Sequence, residues 1–180
     1  CIMNLVLPCE KYKSQYYELV DSAIKNKDVS EMGNAYRNGE NYQDMLKRLE
    51  NRRNGIKIAN RDVPATVYFI IDNNKLVGTI DLRHELNDNY FSRLGHVAYY
   101  IKPEERKKGC ATKALSLALE KYKKQKIEKV LITCLEDNVA SRKVIEKNGG
   151  KLEKSFYNDI TKKYIQRFWI NTMNDEHDRK

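Results

Sequence analysis

The chain has 180 residues, 41% apolar and 33% charged, which is enough to bury a core without disulfide or metal staples and too apolar for a disordered chain. Its 34 Lys and Arg against 25 Asp and Glu give a net charge of +9, which suits a polyphosphate ligand as well as nucleic acid. No run nears the roughly 18 apolar residues of a membrane span; residues 1–7 are too short for a signal sequence; and Cys1, Cys9, Cys110 and Cys134 match neither a zinc pattern nor a disulfide framework, so a cytoplasmic protein with reduced thiols and no membrane attachment is expected.

Residues 2–7 read as a short strand stopped by Pro8. From Lys11 to Asn26, Tyr12, Tyr16, Leu19, Val20 and Ala23 recur at helical spacing. A polar, glycine-containing stretch leads to a second helix over Tyr42–Arg53. Ala65–Ile71 is a β-rich run, Asp72-Asn73-Asn74-Lys75 a hairpin turn, and Leu76–Leu82 the returning strand. Gly95–Ile101 is a strand ended by Pro103, followed by a helix over Cys110–Lys124 and a strand over Lys129–Cys134. Strand, helix and strand in so short a span read as a βαβ unit with parallel strands and a right-handed crossover. A helix over Asn138–Asn148 stops at Gly149-Gly150, and strands at 152–157 and 163–170 form a closing hairpin. With no repeat, linker or low-complexity tract, residues 1–180 read as one α/β domain. The lysines at 121, 123, 124 and 126 read as a solvated helix face.

Chemistry concentrates in Arg106-Lys107-Lys108-Gly109-Cys110-Ala111, between a strand and a helix. A helix start offers N–H groups without intrahelical partners and the positive end of the helix dipole. Gly109 lets the backbone approach an anion with no Cβ in the way, small Ala111 keeps the first turn open, and three adjacent cations add charge.

This segment resembles the cofactor motif of the GNAT acetyltransferase superfamily, Gln/Arg-x-x-Gly-x-Gly/Ala, at Arg106, Gly109 and Ala111. The approach Tyr99-Tyr100-Ile101-Lys102-Pro103 and the downstream Asn138-Val139-Ala140-Ser141 with Glu146-Lys147-Asn148-Gly149 resemble the family's flanking motifs. The chain is also similar to a bacterial subgroup of that family carrying Asp-Leu-Arg-His at 81–84, Gly-His-x-x-Tyr at 95–99 and Arg-x-Trp-Ile at 167–170. The resemblance implies an α+β fold: a mixed, mostly antiparallel sheet of six to seven strands with a central parallel splayed pair and flanking helices. It implies acetyl-CoA as co-substrate, with pantetheine beside Tyr99, Tyr100 and Ile101. The pyrophosphate would lie on the amides of Arg106, Lys107, Lys108, Gly109, Cys110 and Ala111, and Asn138 and Ser141 would meet the pantetheine arm. It implies direct transfer to a primary amine on a small molecule or peptide; monomer and homodimer both stay open, and the cysteine and histidine spacing gives no expectation of a metal.

An amine of pKa about 10.4 arrives protonated, so a proton must leave before attack. His96 is the candidate base, beside a water chain, because imidazole titrates in the useful range; a strand histidine is otherwise a packed residue. His84 and Glu85 are candidates for shaping the acceptor pocket. Many relatives carry a Tyr seven residues after the motif Asn as general acid; here Ile145 stands there, leaving Tyr157, Tyr164 or water. Cys134 near a strand end reads as packing, with a covalent acetyl-enzyme as its alternative. Competing readings are a CoA-sensing domain without catalysis and a basic nucleic-acid-binding protein, for which no zinc finger, RRM-type or basic-zipper pattern is present. The acceptor is open among a protein N-terminus, a lysine, an amino acid, a polyamine and an aminoglycoside.

Overall fold

The computed structural model describes residues 2–173, and its first sheet grows from one tight turn. Asn73 and Asn74 both take left-handed backbone, φ 50 and 66, as a two-residue hairpin loop needs. They join β2 (Ala65–Asp72) to β3 (Lys75–Arg83), strands rich in β-branched residues. β1 (Met3–Val6) pairs with the outer edge of β2 and β4 (Val97–Ile101) with that of β3, all antiparallel, in the order β1-β2-β3-β4.

Both faces of this sheet are covered, so β3 is buried along its length after Lys75. On one face α1 (Lys13–Lys25), entered by a 3-10 turn at Glu10–Tyr12, and α2 (Tyr42–Arg53) bring Tyr16, Leu19, Met45 and Leu49 against Phe69, Ile71 and Leu76. On the other, α3 (Cys110–Lys124) brings Ala114, Leu115, Ala118, Leu119 and Tyr122 against Ile70, Ile80 and Leu82. The period of 3.6 gathers these residues of α3 into one stripe.

The second sheet holds β5 (Lys129–Leu135), β6 (Lys151–Asn158) and β7 (Lys163–Asn171) in the antiparallel order β5-β7-β6. Between β5 and β6 runs α4 (Val139–Lys147), whose first turn is closed by Asn138: its side chain accepts from the Ser141 N–H at 3.0 Å. Among the described residues no helix is long and apolar enough to cross a membrane.

The expected α/β fold is present, and its sheet is divided. The βαβ reading makes β4 and β5 parallel neighbours in one sheet. Among the described residues the two sheets instead meet at a single isolated bridge, Gly95 to Ile132, of antiparallel sense. Gly95, at φ 69, turns the chain ahead of β4, and a Cβ there would lie 2.5 Å from the Leu131 carbonyl oxygen. The next residue continues the contact in an unusual way. The His96 N–H donates to Leu131 O at 2.7 Å, and the Leu131 N–H donates to the His96 ring at Nδ1, 2.9 Å away, rather than to a main-chain oxygen. Beyond this side-chain rung, β4 and β5 diverge. Two irregular stretches also depart from the sequence reading, a 3-10 segment at Val29–Ala35 and a π-helical turn at Tyr90–Leu94.

Candidate active site

The divergence of β4 and β5 opens a cavity of about 660 Å3. Tyr99, Tyr100 and Ile101 line it from β4, and Thr133 and Cys134 from β5. Gly109, Cys110 and Ala111 line it from the start of α3, Asn138 and Ser141 from the start of α4, and Arg83 and Glu31 from the side of α1 and α2.

Local backbone shapes the end of the cavity nearest α3. Lys107 and Gly109 both take left-handed conformations, φ 63 and 83. Left-handed residues in such a loop turn successive N–H groups into a concavity that suits an anion. No side chain caps α3, so its first-turn N–H groups keep their free valence and the dipole's positive end faces the same space. A Cβ built on Gly109 would meet nothing within 4 Å. The cradle is therefore open, and its shape comes from the backbone.

The side chains of the loop divide in role. Arg106 lines the cavity, but its Nε donates to Ile101 O at 2.9 Å and its Nη2 to Asp28 Oδ2 at 2.9 Å. Tyr100 donates its hydroxyl to Asp28 Oδ1 at 2.6 Å. Burial raises the Asp28 pKa, and the hydrogen bonds from Tyr100 and Arg106 outweigh it, so the carboxyl stays below its usual value. The polar groups of Tyr100 and Arg106 thus fasten the loop to the segment after α1. Lys108 reaches Glu105 Oε2 at 3.3 Å and lies outside the cavity lining, whereas Lys107 lines it. Across the gap, Tyr99 Oη and Ser141 Oγ are 2.8 Å apart, joining β4 to α4.

Residues 13–151 match the family described as Acetyltransferase (GNAT) domain. The chain belongs to that family. No curated protein sequence matches it. Solved structures share its fold at low identity. One is the Microcin C7 self-immunity acetyltransferase MccE, in complex with acetyl-CoA and AMP, at 17% identity and TM-score 0.64, covering 94% of this chain and 92% of that one. A second, from Salmonella typhimurium, modifies the N-terminal serine of a 50S ribosomal subunit protein; identity is 17%, TM-score 0.64, and coverage 94% of both chains. A third is a spermidine N-acetyltransferase SpeG chimera from Vibrio cholerae and hSSAT, at 16% identity and TM-score 0.62, covering 94% of this chain and 95% of that one.

In this GNAT domain His96 sits apart from the cavity lining. It is 6% exposed, and its ring stands edge-on to Tyr122 at 5.5 Å. Burial, followed by the charge of Arg83, pushes its pKa down to about 4. At neutral pH the ring is uncharged, its Nδ1 lone pair is engaged by Leu131, and its proton is on Nε2. No lone pair is left to accept a proton from an amine, so the geometry makes His96 the join between sheets instead of the base. Cys134 does line the cavity, but burial pushes its thiol up to about 11, which disfavours the thiolate a covalent route needs. Tyr157 and Tyr164 pack on each other at 5.3 Å in the closing hairpin, outside the lining. Ile145 is fully buried, and His84 turns its Nε2 to Thr66 Oγ1 at 2.7 Å.

Three groups of lining residues were not assigned to the site from sequence, although Lys147 and Arg83 stand within the motifs quoted above. Lys143 and Lys147 line the cavity from α4, one helical turn apart. Glu31 enters from the 3-10 segment, which carries no periodic signal. Arg83 shares a face of β3 with Asp81, and its signal was legible: two charges at alternate positions in a strand otherwise apolar enough to be wholly buried. They belong to a buried network in which Arg52 donates to Asp81 Oδ1 at 2.8 Å and to Asp62 Oδ2 at 2.7 Å, and Tyr90 donates to Asp62 Oδ1 at 2.6 Å.

Proposed function

We propose that this GNAT domain transfers the acetyl group of acetyl-CoA to a primary amine, with both substrates held together in the cavity between β4 and β5. The observation that carries the reading is the open backbone cradle at Lys107 and Gly109, set against the uncapped start of α3 inside that cavity. The amides of 106–111 would hold a pyrophosphate there, with the lysines at 107, 143 and 147 supplying charge. When bound, acetyl-CoA supplies an activated acyl group and a sulfur leaving group.

The chain's own residues supply the rest. The Lys102 N–H is bonded to Val77 O, so the alternation of an antiparallel ladder turns the N–H of Tyr99 away from β3 and toward the gap. A main-chain donor on that edge suits an oxygen that gains negative charge as the amine nitrogen bonds to the acyl carbon and the C–S bond breaks. The Tyr99–Ser141 hydroxyl pair is the proton source this chain offers the departing sulfur, in place of a tyrosine at position 145. Glu31 places a carboxylate in the cavity for the incoming ammonium, and water carries its proton away. His96 has no part in the transfer.

The test is a thermal-shift titration with acetyl-CoA, with dephospho-CoA and a short DNA duplex as controls. Saturation near a hundred times the dissociation constant stabilises the folded state by about 2.7 kcal/mol. For a domain of this size that is a rise of roughly 5–10 °C. A rise with acetyl-CoA, followed by thiol release when an amine is added, supports the reading. A response to the duplex alone would overturn it.

A further inference from the structure

Arg83 is a buried cation with donors to spare. It is 5% exposed. Its Nη1 donates to the carbonyl oxygens of Leu94 at 3.3 Å and Gly95 at 3.1 Å, and its guanidinium lies 4.5 Å from the centre of the Tyr90 ring. The nearest carboxylate, Asp81, keeps Oδ2 3.8 Å from Nη2, while its Oδ1 takes a 2.8 Å bond from Arg52. Nε is buried with no partner. A buried donor left without an acceptor is costly, and a charged one more so. The two carbonyls and the ring fix the guanidinium while leaving over its Nε–Nη2 edge. That edge is one of the parallel N–H pairs a carboxylate takes in a bidentate bond.

Arg83 lines the same cavity as the anion cradle, at its opposite end. It is held by residues just before β4, whereas the cradle follows the end of β4. From Gly95 to Ile101, at about 3.3 Å per residue, the separation is roughly 20 Å. One pyrophosphate cannot serve both, so Arg83 is left to the acceptor. Glu31 lines the cavity as well, and no ion pair among the described residues engages its carboxylate. A carboxylate for an ammonium and a guanidinium for an anion together suit an acceptor of both charges.

Resting on the acetyl-transfer reading above, we propose that Arg83 is the anion-binding residue of the acceptor site, and that the amine acetylated here also carries a carboxylate, as an amino acid does. A polyamine or an aminoglycoside would instead bring a second cation against a buried guanidinium.

The thermal-shift titration with acetyl-CoA comes first, so that failure of the cofactor reading is seen separately. Thiol release is then measured at saturating acetyl-CoA with the common amino acids, each beside its carboxamide, and with spermidine. Glycyl dipeptides with free and amidated C-termini separate a free amino acid from a short peptide as the source of the carboxylate. The best acid is expected to exceed its own amide by tenfold or more in kcat/KM, chiefly through KM, and to exceed spermidine. Calorimetric titration of the same pairs onto the CoA complex should give the same order where turnover is slow. Arg83→Gln should erase the preference for acid over amide while the response to acetyl-CoA persists. Equal rates and affinities for acid and amide, a preference for spermidine, or a preference that survives in Arg83→Gln would each overturn the assignment. If Arg83→Gln does not fold, the acid and amide comparison on the wild-type protein decides by itself.

Discussion

Gly109 holds φ at 83 with open space where a side chain would project, a combination that only glycine occupies without strain. Gly109→Val forces a β-branched residue into left-handed backbone at a cost of about 1–2 kcal/mol. It should melt roughly 2–8 °C below wild type and lose its thermal response to acetyl-CoA; a full response would remove this loop from the site. His96 is the opposite case, a reactive group whose chemistry is used up inside the fold. Its pKa of about 4 lies below the ordinary 6.5, so between those values the unfolded chain binds a proton that the folded chain refuses. The stability present above pH 6.5 is therefore lost as pH falls through this window, by something on the order of 3 kcal/mol. Urea denaturation at pH 7, 6 and 5 should show that slope in wild type and a shallower one in His96→Gln, the remainder belonging to His84, whose pKa is also lowered by burial. Identical slopes would mean that the His96 ring is not held neutral. Nothing near His96 in sequence marks this role, because its ring partner Leu131 lies 35 residues away.

Elements whose causes are local were legible. α2 and α3 begin and end where apolar spacing places them, and the β2–β3 hairpin turns on the two asparagines that mark it. The Val29–Ala35 and Tyr90–Leu94 segments were not legible, since distant partners hold them. Tyr16 donates to Ala35 O at 2.8 Å, and Thr133 donates to Arg93 O at 2.9 Å. The same distinction governs the cofactor loop. Its backbone cradle follows from glycine and the helix start, whereas the diversion of Arg106 depends on Asp28, 78 residues earlier. For α4 the local cause can be removed alone. Asn138→Ala deletes the cap on Ser141 and should cost about 1 kcal/mol, a fall of roughly 2–4 °C in Tm without ligand. Asn138→Asp, which caps as well, should recover it. An unchanged Tm in the alanine variant would show that the cap adds nothing to α4.

On the scale of the molecule, the two sheets share one apolar core, in which Ile70 and Ile80 of the first and Val130, Ile132 and Phe168 of the second pack with α3, but their main chains meet over a short stretch. The bridge at Gly95 and the His96–Leu131 rung form the link from which β4 and β5 part. Gly95→Ala would press a Cβ against the Leu131 carbonyl and strain a backbone at φ 69. Strain and overpacking together should cost about 3 kcal/mol, lowering Tm by roughly 6–12 °C. A loss under 1 °C would show that the sheets do not depend on this close approach. Past that link, the facing edges of β4 and β5 carry main-chain N–H and C=O groups that, among the described residues, no neighbouring strand takes up. Amide protons there, that of Tyr99 first among them, can exchange with solvent while the rest of the β3–β4 pair stays folded. A molecule lodged between the edges slows that exchange without changing the fold, so deuterium uptake along β4 reads occupancy of the gap directly.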